Sequence, residues 1–347
     1  MSDALDTSAP APHRPAVVAL DVGGTFVKWL VADHTGVLRQ GSSPTRAADG
    51  PERAFRGVLD TVDAALAAIP ATHTAVGVGV AVPGTVDERR GVCVHSENLG
   101  WRELPVARRL RAHTGLPVGF GHDVRTGATA EWRLGAGRGV ADQVYVSVGT
   151  GLAAALLLDG RMVSSGGYAG EIGHGGAADG EACVCGGRGC AETVASAAAI
   201  ARRYTAASGV AVDGARDVLA RALDGDLLAR RVWDDAVEVL SALVADLVRV
   251  TGAAHVVVGG GLVHAGDALL TPLREQVRAR LTVHPDPRIV PAALGGSAGS
   301  WGAALLGWQA AEADLDPIVA AYADEARRPA ERPHRTPGHP FRQRSEQ

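Results

Sequence analysis

The chain is poor in lysine, methionine and aromatic residues. Lys28 is the only lysine, Met occurs twice, and Phe, Trp and Tyr together make up 4%. Arginine therefore supplies nearly all side-chain cations, and 34 Lys+Arg against 38 Asp+Glu leave a formal net charge of -4. A general nucleic-acid binder carries a basic excess, so no nucleic-acid partner is expected. Cysteine is scarce too: there are four, three of them between positions 183 and 190. A disulfide scaffold spreads its cysteines along the chain, so a reduced, cytoplasmic protein is expected. No G-x-x-x-x-G-K-[ST] segment occurs, which excludes a Walker-type phosphate loop. The N-terminal MSDALDTSAPAPHRP lacks a basic start followed by an apolar core, so no signal peptide is expected. Ala64–Val86 is free of Asp, Glu, Lys and Arg, but Pro70, His73 and Pro83 interrupt it. It fails as a membrane helix, and no membrane partner is expected.

What is present is a globular pattern. The 347 residues are 46% hydrophobic, a length that favours two α/β domains over one core. Residues 1–14 read as a loose arm and 328–347 as a disordered, Pro-rich tail. Between them, apolar runs ending in glycines (AVVALDVGG at 16–24, QVYVSVGTG at 143–151, AHVVVGGG at 254–261) read as buried strands with turns. Pro51 to Ile69 has helical spacing, with Phe55, Val58, Leu59, Val62 and Leu66 on one face. Further helices are expected at 104–113, 123–134, 193–207, 213–223, 226–252, 266–281 and 297–312. The layout predicts an N-terminal domain over 15–123 and a C-terminal domain over 124–312 around a cleft, with helix 297–312 able to pack back on the first.

Several motifs can carry chemistry. In Asp21-Val22-Gly23-Gly24-Thr25, glycines let backbone N–H groups approach a phosphate, Thr25 adds a hydroxyl, and Asp21 can hold a hydrated Mg²⁺. The same residues also suit a plain hairpin turn. Gly149-Thr150-Gly151 repeats the device, and Gly259-Gly260-Gly261 either leaves room for a ribose or makes a tight turn. His174, Cys183, Cys185 and Cys190 form a Cys₃His set, the composition of closed structural Zn²⁺ sites; a disulfide or unligated thiols are the other readings. A metal there would hold a loop, 171–192, with Glu171 and Glu192 at its ends. Asp123 follows a strand and opens a helix, which suits either a general base or an N-cap. Asn98, in SENLGW, is either a turn residue or a sugar-hydroxyl ligand.

Together these motifs resemble the ROK family (repressors, open reading frames and kinases), in particular its glucokinase-like sugar kinases. The resemblance runs from about 16 to 312 through DVGGT, VPG, ENLGW, HD, GTG, AGEIGH, CVCGGRGCAE, VVVGGGLV and LGGSAGSWGAA. It implies an actin-like ATPase fold whose two α/β domains close on ATP and a sugar. Asp123 would be the general base, and Asn98, Asp123, Glu171, His174 and Glu192 would hold the sugar. His174 would also bind zinc through its other ring nitrogen. Gly23, Gly24, Thr25, Gly149, Thr150 and Gly151 would lie along the phosphates, and Gly259, Gly260 and Gly261 near the adenosine. The implied reaction is ATP-dependent phosphorylation of a hexose, glucose to glucose 6-phosphate; an amino sugar, mannose, fructose or cyclitol acceptor, or an inactive sugar sensor, are alternatives. A repressor would carry a helix-turn-helix segment ahead of DVGGT, where this chain has a short Pro-rich stretch. Relatives of this kind often pair, so a homodimer or homotetramer is expected, with Trp301, Leu305 and Trp308 either its exposed face or part of the core. The chain departs from the family pattern at His122, where Asn is usual, at Val124 and Arg125, where small residues or Asn are usual, and at Ala153–Ala155, where glycines continue the turn.

Overall fold

The structure, a computed structural model, describes residues 13–175 and 180–326. The expected arm up to residue 12 and the tail 328–347 lie outside the described residues, and Arg14 already belongs to a strand. Strands β1 (Arg14–Val22), β2 (Phe26–Asp33) and β3 (Gly36–Pro44) form the expected meander, and α1 (Pro51–Ala67) leads to β4 (His73–Val82). A small sheet of β5 (Thr85–Asp87), β6 (Val92–Ser96) and β7 (Trp101–Leu104) follows. Then α2 (Val106–Thr114) reaches β8 (Val118–His122), whose end opens α3 (Asp123–Leu134). The first large sheet has the order β3-β2-β1-β4-β8, with β1, β4 and β8 parallel.

A second large sheet, β11-β10-β9-β12-β13, is built from β9 (Gln143–Val148), β10 (Leu152–Leu158), β11 (Arg161–Met162), β12 (His255–Gly259) and β13 (Arg288–Pro291). Between β11 and β12 lie α4 (Glu192–Ala195), α5 (Ala197–Ser208), α6 (Ala215–Leu223) and α7 (Leu227–Thr251). The chain continues through α8 (Asp267–Arg280), α9 (Ala298–Ala310) and α10 (Leu315–Ala326). The helix expected over 193–207 is broken at Ser196, whose hydroxyl accepts from Ala199 N–H and caps α5. The small sheet and β13 have strands too short to stand out by periodicity, and α10 lies beyond the last helix expected from the sequence.

Why the first sheet is buried on both faces is visible in β1, where Ala16 to Leu20 are each 0% exposed. Ala16, Val18 and Leu20 pack with Phe55, Val58 and Val62 of α1. Val17 and Ala19 turn the other way, onto Ala303, Ala304 and Trp308 of α9. So α9, late in the chain, closes the face of the first sheet. The glycines in β4 mark its path: a Cβ on Gly79 would sit 1.7 Å from the Ala303 carbonyl, and one on Gly77 2.6 Å from that of Gly307. This packing corrects the reading of α9 as an exposed face. Trp301, Leu305 and Trp308 are core residues, and Trp308 Nε1 donates to Tyr322 Oη at 2.7 Å. The expected homodimer or homotetramer thus has no support from this helix. No described helix is long and apolar enough to cross a membrane.

Candidate active site

Strand register brings two distant aspartates to one edge. Asp21 pairs with Ala81, and Ala81 with Gly121, so Asp21 and the His122-Asp123 step share the carboxyl end of the first sheet. Ligands of open α/β sheets sit at such ends. The N-cap of α3 is His122, in extended conformation, with its ring accepting from Arg125 N–H. This corrects the N-cap reading of Asp123: it is the first residue of the helix and is left free for other work. Asp123 Oδ1 accepts from Val124 N–H at 2.7 Å and lies 3.3 Å from His122 Nε2. Among the described residues no donor reaches Oδ2, and the side chain keeps 33% exposure amid dense protein. Burial pushes the Asp123 carboxyl up to about 7; the charges of Asp21 and Glu171 add to the rise, and the Val124 N–H and Arg125 oppose it. Burial also raises Asp21, against the nearby Lys28 ammonium.

The loop that carries Glu171 is tied to this edge by Arg125. The buried guanidinium donates through Nε to Glu88 Oε1 at 2.9 Å and through one terminal nitrogen to the Ala169 carbonyl at 3.2 Å. Glu88 Oε1 also accepts from His122 N–H. Sequence reasoning noted Arg125 only as a departure and missed Glu88, whose flanking residues form no motif. Burial raises the Glu171 carboxyl, with His174 and Arg125 opposing and Glu192 adding.

The next turn of the chain gathers the Cys₃His set. Donor atoms of His174, Cys183, Cys185 and Cys190 all lie within 4.8 Å of one another. His174 Nδ1 is 3.8 Å from Cys183 Sγ, and the Cys185 and Cys190 sulfurs are 3.6 Å apart. A tetrahedron with Zn–S bonds of about 2.3 Å has edges of about 3.8 Å, so the spacing fits zinc. The cysteines are free, against the disulfide reading. His174 spans two groups, since its Nε2 lies 3.9 Å from Glu171 Oε2. At the far end of the loop, Glu192 Oε2 accepts from Leu152 N–H at 2.8 Å. A Cβ on Gly151 would stand 2.8 Å from that same oxygen. Glu192 therefore joins the cysteine loop to the Gly149-Thr150-Gly151 turn.

The glycine turns divide by what surrounds them. Open space lies beside Gly149 and Gly261, which fits a nucleotide against the backbone. Thr25 and Thr150 are exposed at their turns. Gly24 lies against Asn98, with 3.6 Å between its Cβ position and the Asn98 Cβ. The space beside Gly259 is filled by the Tyr145 hydroxyl, and that beside Gly260, at φ 78°, by Val148 backbone. The Cβ side is thus packed at Gly259 and Gly260 and open at Gly261. The methyls of Ala154 and Ala155, 1% and 2% exposed, pack in opposite faces of the sheet. They do not obstruct the turn before them.

Two five-stranded sheets, with carboxylates and glycine turns gathered at strand ends, define the actin-like ATPase fold. The chain belongs to the ROK family, whose model matches residues 17–310. A glucokinase of Halalkalibacterium halodurans is 32% identical over 284 residues, 76% of this chain and 85% of the relative. An N-acetylmannosamine kinase of Citrobacter koseri is 32% identical over 300 residues, 84% of this chain and 98% of the relative. A solved ROK family glucokinase of Streptomyces griseus, in complex with glucose and AMPPNP, superposes with a TM-score of 0.73 at 30% identity, over 85% of this chain and 99% of that one.

Proposed function

We propose that the protein is an ATP-dependent hexose kinase that transfers the γ-phosphoryl group of ATP to O6 of glucose. The observation that carries this reading is the Asp123 carboxylate: partly open, with Oδ2 free, and beside Glu171 and Asp21. The acceptor hydroxyl gives its proton to Asp123 Oδ2 as its oxygen attacks phosphorus and ADP leaves. Asn98, Glu171, His174 Nε2 and the free oxygen of Glu192 hold the sugar hydroxyls. The turns at Gly23–Thr25 and Gly149–Gly151 line the phosphates, and Gly261 lies near the adenosine. Mg²⁺, bound with the donor, would supply neutralising charge for the phosphate oxygens; Asp21, a buried carboxylate with like charge nearby, suits it. Zinc on His174, Cys183, Cys185 and Cys190 is structural, since four protein ligands leave no open position. We place the enzyme in the cytoplasm, where ATP is supplied and the thiols stay reduced.

A coupled assay over glucose, mannose, fructose, N-acetylmannosamine and a cyclitol, each with ATP and with polyphosphate, tests the reading. Glucose with ATP should give the highest kcat/KM. Preference for N-acetylmannosamine, which is the substrate named for the Citrobacter relative, would move the acceptor while keeping the chemistry. Turnover of none would reject the kinase reading. The pH dependence is also fixed: kcat/KM for glucose should plateau in base and fall as pH drops through about 7, because the raised Asp123 carboxyl must be ionised in the free enzyme. An acid limb centred near pH 4 would show that the Asp123 carboxyl is not raised and would contradict this pH dependence.

A further inference from the structure

We propose that a second cavity, on the free edge of β8, binds a small organic acid: an anionic group carried on a flat apolar body. The proposal goes beyond the kinase reading and does not depend on it. β8 ends the first sheet, with β4 on one side and no strand on the other. The cavity beside it has a volume of about 580 Å³, within the range of about 300–1,000 Å³ usual for ligand pockets. It is bounded by β8, α3, α9 and α10, and Met162 of β11 also lines it. None of the residues given above to the sugar, the donor or zinc lines it. Its walls are mostly apolar, with Phe120, Trp132, Leu306 and Val319 among them. The rings of Phe120 and Trp132 favour a planar body in that space.

Cations outnumber acids in these walls. Arg89, Arg125 and Arg133 line the cavity against a single carboxylate, Glu88. Glu88 is already engaged, by Arg125 Nε and by His122 N–H. Among the described residues neither Arg89 nor Arg133 has an acidic partner. The Arg133 guanidinium lies over the Trp132 ring, 4.4 Å from its centroid. Arg125 is the sharper case, because its side chain is 2% exposed. Its Nε and one terminal nitrogen are bonded, but the other terminal nitrogen is buried without a partner. A buried cationic donor left unpaired costs free energy, and an anion is the partner that offsets most of it. The strand edge adds a neutral donor. Val78 N–H donates to the Pro117 carbonyl across the ladder, and His122 N–H donates outward to Glu88. Peptide groups alternate in direction along a strand, so the Phe120 N–H also faces outward, on the side of Glu88. A carboxylate accepts at both oxygens and suits such donors; an ammonium does not.

Calorimetric titration with naphthalene-2-carboxylate, with and without saturating glucose and a non-hydrolysable ATP analogue, tests the proposal. One carboxylate should bind per chain under both conditions. Naphthalene-2-carboxamide, the neutral molecule of the same shape, should bind about 10- to 100-fold more weakly, the scale of a charge-assisted hydrogen bond. Arg89 is exposed and Arg133 half-buried, so Arg89→Glu combined with Arg133→Glu leaves the core intact. That double variant should weaken the carboxylate by about 10-fold or more, keep the carboxamide near its wild-type affinity and melt near the wild-type Tm. Val319→Trp places a ring in the cavity and should remove binding of both molecules. No binding of the carboxylate at millimolar concentration, equal affinity for acid and amide, or wild-type affinity in either variant would overturn the proposal. So would displacement of the carboxylate by glucose or the ATP analogue, which would put the probe in the site described above.

Discussion

Asp123→Asn should lower kcat by about 10²- to 10⁴-fold, the usual contribution of a general base. The amide is isosteric with the carboxylate, and its oxygen can still accept from Val124 N–H, so the start of α3 keeps its shape. Sugar KM should change only a few-fold, because the proton acceptor is lost and the hydroxyl ligands stay. The same substitution carries a second, independent sign. A carboxyl whose folded-state pKa is raised makes the folded state less stable once pH exceeds its unfolded value, and the full cost is present above about 7. Below both values the carboxyl is protonated in either state and the cost vanishes. Asp123→Asn should therefore raise Tm at pH 8 and leave it unchanged near pH 3. Steady-state kinetics and thermal melts at the two pH values check both. A variant that loses activity and also melts lower at pH 8 would point to a structural role for Asp123.

Removal of zinc should have an effect as large, by a different route. Structural zinc contributes on the order of 10 kcal/mol of folding free energy, and without it the thiols of Cys183, Cys185 and Cys190 have no common partner. The described parts of the loop carry Glu171 and His174 at one end and Glu192 at the other. Because Glu192 also holds Leu152 N–H beside the Gly149–Gly151 turn, the loss should reach the donor as well as the sugar. Elemental analysis should find one zinc per chain. Chelation, or Cys190→Ser, should abolish measurable turnover and weaken binding of both glucose and a non-hydrolysable ATP analogue. Return of zinc should restore the chelated wild-type protein. Metal-free protein with full activity would remove zinc from the account.

The parts of this account legible in the sequence are those written in short, dense motifs. The two parallel-strand ends at Asp21 and His122-Asp123 announced themselves as apolar runs closed by glycine or by His-Asp. The Cys₃His spacing named its own geometry, which the donor separations match. Helix α1 was legible from Phe55, Val58 and Val62 on one face. What stayed hidden depends on contacts across the chain. Whether Asp123 or His122 caps α3 turns on where one imidazole points, which spacing does not encode. The sequence does not show that the Cβ sides of Gly259 and Gly260 are packed by Tyr145 and Val148. The face of α9 with Trp301, Leu305 and Trp308 has the same pattern in a core as at an interface. It took the glycines of β4, seated under its carbonyls, to show that it is core. Glu88 had no signal at all, because its importance comes from Arg125 and the His122 backbone meeting it.

The central claim, a phosphoryl transfer to a hexose hydroxyl governed by Asp123, is met most directly by following the reaction products by ³¹P NMR. Glucose with Mg²⁺ and ATP should give glucose 6-phosphate and ADP in equal amounts with the wild-type protein. Under the same conditions Asp123→Asn should give only a trace. No phosphate ester from any hexose, or wild-type yield and rate from Asp123→Asn, would contradict it.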